Sequence, residues 1–232
     1  FPHDHHLNPL TLTRAFAEGA RRRGAEIATG TSVTGIKTVS GRVTSLVTER
    51  GEMGADLIIN AAGSWAGEMS RMVDLETPVE PVRGQIILSE PLPPLFKRCI
   101  VTRDVYLVQK PRGNVVVGST REFVGYRKEV TPEAIRLLHQ GAVKAVPGLA
   151  KAAFIRSWAG LRPYTPDEIP ILGSADVPEG YLLATGHFRN GILLSAITGK
   201  LMSELIAEGK SSIPLEGYHI SRFLQAAKEE QK

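Results

Sequence analysis

The sequence predicts an α+β fold, with an α/β lobe over residues 1–78 and 165–232 interrupted by a β-rich lobe over residues 79–164. Three observations carry this reading. Two short apolar runs, residues 56–61 and 180–184, each read as a buried strand that ends at glycine and leads into helical spacing of apolar residues. The texture changes at Pro78, after which strand-like runs at 85–88, 105–109, 115–118 and 155–161 are interrupted by one helix. Beyond Pro166 the α/β texture returns. A mixed or antiparallel sheet with a covering helix is therefore expected in the middle of the chain.

Taken in order, residues 9–24 form a helix: Pro9 suits a first-turn position, Leu10, Leu12, Ala15, Phe16 and Ala20 make an apolar face, and Gly24 ends it. The basic run Arg21, Arg22, Arg23 stands at its end, where cations favour the dipole. A short strand at 25–27 precedes strands at 32–39, 42–48 and near Met53, with Ser40-Gly41 and Arg50-Gly51 as hairpin turns. After the buried strand at 56–61, Ser64 is placed to cap a helix reaching about Val73. The helix of the β-rich lobe starts at Thr131-Pro132 and stops before Pro147. Strands at 169–172 and 182–184, a helix over 190–206 and a polar, Lys/Glu-rich helix over 219–228 complete the chain.

Composition bounds the function. At 232 residues, 42% hydrophobic and 22% charged, the chain suits a globular protein with room for two lobes. No apolar run reaches the roughly 18 residues a membrane span needs. A net charge of +4 is a mildly basic solvated surface or a slight preference for an anionic cofactor or substrate; nucleic-acid binding is not expected. The single Cys99 leaves no internal disulfide and no zinc cluster, and suits a reducing, cytoplasmic compartment. Phe1 to His6 carries no initiator Met and no signal pattern, so the chain reads as part of something longer. His3, His5 and His6 with Asp4 are either a metal-binding tract or a flexible, tag-like segment, and no metal site is expected.

Two strand ends carry small residues where a backbone must approach something closely: Ala61-Ala62-Gly63 and Thr185-Gly186-His187. Each alone is a tight turn, but two at separate strand–helix junctions suggest a cofactor crevice, since ligands sit beyond the carboxyl ends of strands in open α/β sheets. The helix starting near Asn190 offers unpaired N–H groups to an anion or an electron-rich carbonyl. Arg162 ends the apolar run 158–161, so its guanidinium needs a partner: Asp167 or Glu168 as an internal salt bridge, or a ligand carboxylate matched by its planar fork. Arg189 faces the same choice. Tyr106 puts one polar hydroxyl into an aliphatic strand. With no nucleophile motif, paired carboxylates or phosphate loop, these residues suit a redox site whose chemistry belongs to a cofactor.

Several segments carry a resemblance to a known family. They are Asn8-Pro9-Leu10, residues 24–27 and 58–66, Pro81-Val82-Arg83-Gly84-Gln85, Tyr106-Leu107-Val108, Val117-Gly118-Ser119-Thr120, Trp158 to Pro163, and Thr185 to Leu194. In this order the chain resembles the C-terminal part of the FAD-dependent D-amino-acid oxidase superfamily, nearest its glycine oxidase and sarcosine oxidase branch. The resemblance implies that Val33 lies beside the adenine and that Ala62, Gly63 and Trp65 line the phosphate and ribose region of FAD. It implies that Gly186, His187, Phe188, Arg189, Asn190, Gly191, Ile192 and Leu193 wrap the isoalloxazine, with His187 a structural hydrogen-bonding residue. Arg162 is expected to pair with the substrate carboxylate, Tyr106 to sit over the substrate, and Arg189 to stand near the flavin and substrate edge.

The implied reaction is oxidation of a C–N bond in a small amino acid or amine (glycine, sarcosine, a D-amino acid or an imino acid) by hydride transfer to flavin, followed by imine hydrolysis. A hydroxy acid is a further candidate substrate. The chain departs from the family in lacking the Gly-x-Gly-x-x-Gly unit that holds the FAD pyrophosphate. Its FAD-binding lobe is therefore expected to be incomplete, with an exposed sheet edge that homo-oligomerisation or pairing with a chain carrying the missing unit would cover. The alternative is a cofactor-free, inactive fragment or a binding subunit of a larger flavoenzyme assembly.

Overall fold

A computed structural model describes residues 5–223. His3 and Asp4 of the histidine tract, and residues 224–228 of the expected C-terminal helix, lie outside them. The chain divides into two compact units, one holding Val82–Leu161 with the residues up to Phe16, the other Ala17–Pro81 with the residues from Arg162 onward.

Helix α1 (Pro9–Arg21) is opened by Asn8, whose Oδ1 accepts the Leu10 and Thr11 N–H groups at 3.0 and 3.3 Å. Its expected apolar face is only partly covered: no residue of α1 is buried, Leu12 and Ala20 are half-buried, and Leu10 is 71% exposed. Residues 25–27 form no strand, contrary to expectation. The chain leaves the helix through Gly24 at φ +90° and stays irregular up to β1.

Strands β1 (Val33–Val39), β2 (Arg42–Thr48) and β3 (Gly51–Gly54) form an antiparallel sheet. Ser40 and Gly41, both at positive φ, make the two-residue turn whose twist suits a hairpin. Strand β4 (Ile58–Asn60) then leads through a 3-10 turn, Gly63–Trp65, into α2 (Ala66–Arg71). Ser64 does not cap this helix. Gly63 at φ +56° folds the chain into the 3-10 turn, so Trp65 takes the capping position, without a side-chain bond, and Ser64 is buried.

In the Val82–Leu161 unit, β5 (Glu80–Pro91), β6 (Ile100–Val101), β7 (Tyr106–Gln109), β8 (Asn114–Gly118) and β9 (Phe154–Tyr164) form a five-stranded sheet in the order β6-β7-β8-β5-β9. Helix α3 (Pro132–Ala145) covers one face. Thr131 accepts the Ala134 N–H at its start, and Leu138 and Ala142 pack on Ile87, Leu107, Val115 and Val117. Buried Arg83 is paired with Glu122 and reaches Glu129, while Gln85 ties Glu122 to Thr131. Burial raises the Glu122 carboxyl, but hydrogen bonds from Thr120, Arg83 and Gln85, with the Arg83 charge, hold it below the ordinary value.

Beyond β9, strands β10 (Ile171–Ser174) and β11 (Tyr181–Thr185) make a second three-stranded sheet with β4, antiparallel between β10 and β11 and parallel between β11 and β4. Its core joins Ile36, Val43, Ile58, Ile171, Tyr181 and Leu183. Helix α4 (Gly191–Glu208) ends at Gly209 in the left-handed region and buries only Leu201 and Met202. Among the described residues no helix is long and apolar enough to cross a membrane.

Candidate active site

The site is built on two neighbouring strand ends. Leu183 of β11 stands opposite Asn60 of β4, so the parallel strands finish side by side and both following turns leave from one edge. Asn60 is fully buried. Its Nδ2 donates within reach of the Ala66 carbonyl (2.9 Å), the Tyr181 hydroxyl (2.8 Å) and the Ser70 hydroxyl (3.2 Å), while its Oδ1 accepts the Ala62 N–H at 3.1 Å. One side chain thus fixes the Ala61–Gly63 turn from below. Burial pushes the Tyr181 hydroxyl up, against the hydrogen bonds from Ser70 and Asn60, so it stays a neutral phenol at ordinary pH.

The two turns are tied together. Thr185 Oγ1 donates to the Gly63 carbonyl at 3.0 Å. A Cβ on Gly63 would meet nothing within 4 Å, which leaves open space above a left-handed residue. Gly186 has a different reason to be glycine: its φ is +76°, and a Cβ there would come within 2.7 Å of Thr165 Cγ2.

The segment after β9 is fastened onto the 186–190 turn. The Phe188 N–H donates to the Pro163 carbonyl at 2.9 Å, and the Tyr164 and Phe188 rings meet edge to face at 5.2 Å. Half-buried Arg162 therefore stands one residue before a backbone bond to the turn. Of the two acids weighed as its partner, Asp167 is engaged by Arg222, whose Nε is 2.7 Å from Oδ2. Arg222 also donates to the Ile169, Tyr218 and His219 carbonyls. Burial raises the Asp167 carboxyl, but the Arg222 and Ile169 hydrogen bonds and the Arg222 charge outweigh it and hold it low. Glu168 lies 4.0 Å from Arg189, an exposed guanidinium that also rests over the Phe188 ring at 5.8 Å.

His187 is bound to α4 by Nε2 and Thr198 Oγ1 at 2.9 Å, and burial lowers its basicity, so it is a neutral tether between turn and helix. Asn190 occupies the position before α4 without a side-chain cap. The first-turn N–H groups from Gly191 to Leu193 have no intrahelical carbonyl to bond. Ile192 and Leu193 are exposed, the latter by 81%.

Among the residues expected at the site, Ala62, Gly63 and Trp65 follow β4 while Gly186 to Leu193 follow the adjacent β11. Arg162 is joined to the second group through Pro163. Val33 begins β1, where it packs partly buried against the core that Tyr181 and Leu183 share. Tyr106 lies on β7 in the other unit. A cavity of about 790 Å³ in that unit is lined by Thr120, Glu122, Thr131 and Lys144, at the edge of the Arg83 network. Asn60, Thr185, Thr165 and Arg222 are structural supports of these turns that sequence reasoning missed. The one local signal was an Asn closing an apolar strand.

FAD, the cofactor implied by the resemblance, fits these residues in part. Two glycine turns at adjacent strand ends, the open space above Gly63 and an uncapped helix start suit a polar, planar cofactor edge. Gly63 and the 186–193 segment would hold it.

The family model described as FAD dependent oxidoreductase (DAO) matches residues 1–205. Hydrogen cyanide synthase subunit HcnC of Pseudomonas protegens is 45% identical over 225 residues, covering 96% of this chain and 54% of the relative. The chain thus spans about half the length of the curated relatives it matches. Among solved structures, L-proline dehydrogenase from P. horikoshii superposes with a TM-score of 0.89 at 26% identity, over 94% of this chain and 60% of that one. Glycine oxidase from Geobacillus kaustophilus gives 0.85 at 30% identity, over 90% and 56%.

Proposed function

Because the chain belongs to the family of FAD-dependent oxidoreductases, we propose that the full-length protein oxidises the C–N bond of a small amino acid or amine. Glycine is the first substrate to test, given the glycine oxidase similarity, followed by sarcosine, a D-amino acid and an imino acid. FAD, when bound, supplies the acceptor for the hydride leaving the substrate carbon. The oxidised product is an imine, which water hydrolyses to ammonia or an amine and a carbonyl compound.

The chain's own part is binding and orientation. Arg162 pairs its planar fork with the substrate carboxylate. Tyr106 presents its hydroxyl to the substrate, and Arg189 adds positive charge near the reacting edge. His187, held by Thr198, keeps the 186–190 turn in place and does not act as a base. The supporting observation is the Phe188-to-Pro163 backbone bond, which holds the residue after Arg162 against the glycine turn.

The test is Arg162→Leu in the FAD-loaded, full-length protein. Losing a charge-assisted bidentate pair costs roughly 3–5 kcal/mol, or about two to three and a half orders of magnitude in kcat/KM, mostly through KM. An unchanged KM for carboxylate substrates would refute the assignment.

A second reading, pairing with another chain, is favoured by the exposed apolar side chains beside the turns, Ile59, Trp65, Ile192 and Leu193. Under it this polypeptide alone is a colourless binding subunit, and visible flavin absorbance in the purified chain would exclude it.

A further inference from the structure

We propose that Gly118 is a positioning residue: the bare patch it leaves on β8 seats the Tyr106 phenol and thereby sets how much room the substrate has. The proposal rests on the reading of Tyr106 as a substrate-facing residue and extends it to a neighbour.

Tyr106 and Gly118 are direct partners across the antiparallel β7–β8 pair, and on its other side Gly118 stands opposite Ile86 of β5, so the glycine is interior to the sheet. A Cβ built on Gly118 would lie 2.5 Å from Tyr106 Cζ, 2.6 Å from the hydroxyl oxygen and 2.7 Å from Cε1. These are the far atoms of the ring. It is the phenol end that rests on the glycine. Gly118 is not among the residues at positive φ, so a left-handed φ is not what calls for a glycine here. Space does.

The strand beneath cannot yield. Val105 fills the place of a missing side chain at Gly141 of α3, where a Cβ would fall 2.7 Å from Val105 Cγ1. Leu107 and Val117 are fully buried beneath the sheet, against the same helix. Strand β7 is therefore packed onto α3 from one face while its tyrosine lies across β8 on the other. A side chain at 118 therefore displaces the phenol from its seat on the sheet. Restoring an ordinary carbon contact of about 3.5 Å means moving the phenol end by roughly 1 Å. A displacement of that size at a group touching substrate is worth up to about 100-fold in rate. Because the displaced phenol takes room from the substrate, bulkier substrates lose more than small ones. Gly118 thus acts on substrate size through Tyr106.

The experiment compares Gly118→Ala, Tyr106→Ala and the double variant in the FAD-loaded, full-length protein. Each is assayed with glycine and with the bulkier sarcosine, and the Tyr106 ring is followed by NMR after selective ¹³C labelling of tyrosine. Gly118→Ala is expected to shift the Tyr106 resonance and to raise KM, by about 10-fold or more for sarcosine and by less for glycine. In the double variant the alanine at 118 is expected to add less than about twofold to the Tyr106→Ala loss, because contacting residues are non-additive. An unmoved resonance, equal losses on both substrates, or fully multiplicative losses would overturn the proposal. Should Gly118→Ala fail to fold, removal of the ring must rescue it; a double variant that also fails to fold refutes the seat. If instead the resonance moves while Tyr106→Ala leaves both substrates unaffected, the substrate-facing reading of Tyr106 falls and the size-setting role falls with it, although the packing contact stands.

Discussion

Replacing Asn60 with alanine should be among the most damaging single changes in this chain, and its cost can be worked from the hydrogen bonds. The amide has two protons and three acceptors within reach, so the Tyr181 hydroxyl at 2.8 Å and the Ala66 carbonyl at 2.9 Å take the main share and Ser70 at 3.2 Å the remainder. Truncation removes one donor from the Ala66 carbonyl, which as a first-turn carbonyl of α2 keeps its helical partner. It leaves the Tyr181 hydroxyl with the Ser70 contact at 3.4 Å, and the Ala62 N–H loses its acceptor. At about 1–3 kcal/mol for each group left short of a partner, the Tyr181 hydroxyl and the Ala62 N–H together amount to roughly 2–6 kcal/mol. For a chain of this size that is a fall in Tm of about 5–20 °C. Denaturant titration and thermal unfolding measure it. Asn60→Asp is the informative companion: it keeps the acceptor for Ala62 but cannot donate, so it should lose at least as much. If either variant loses less than about 1 kcal/mol, the network does not hold the turn as described. Because the same side chain backs the Ala61–Gly63 turn, FAD affinity of the full-length protein should fall in parallel.

Gly186→Ala should destabilise by roughly 2–5 kcal/mol, combining the cost of a left-handed alanine with overpacking against Thr165. Thr165→Ser in the same chain removes the obstructing methyl and should recover the overpacking part but not the backbone part. Full recovery would show that φ at 186 carries no strain. For His187, burial lowers the folded-state pKa below the ordinary 6.5, so the stability held by its neutral form is fully present above that value. As pH falls the unfolded chain takes up the proton first, and this stability is lost through the lowered folded-state pKa. His187→Asn should flatten the decline of Tm as the pH falls below about 6.5; an unaltered slope would refute the assignment of that decline to His187.

Locally encoded elements were legible in the sequence. The Thr131-Pro132 start of α3, the Ser40-Gly41 hairpin and the strand–glycine–helix passage from β11 into α4 depend on residues within a few positions of one another. The α+β class followed from them; the FAD-dependent family was legible instead in the motif segments that carry the resemblance, such as Trp158 to Pro163 and Thr185 to Leu194. Errors arose where a partner decided the outcome. α1 has helical spacing and a helix forms, yet no residue of its apolar face is buried. The 25–27 run has strand composition and no neighbour to pair with in the described sheets. Ser64 suited a helix cap, but Gly63 turned the chain before the helix could begin there.

What the sequence determined by itself was the kind of protein: which segments become strands and helices, where glycine must bend the chain, and which arginines and tyrosine are candidates for chemistry. Tertiary structure alone decided which of them meet. Asn60 finds Tyr181 across 121 positions, and Arg222 engages Asp167 across 55. The Gly118 seat exists only because β7 and β8 pair in one register. Periodicity and turn chemistry act over a few residues, whereas hydrogen bonds and steric contacts depend on distance in space, and folding alone converts one kind of neighbourhood into the other.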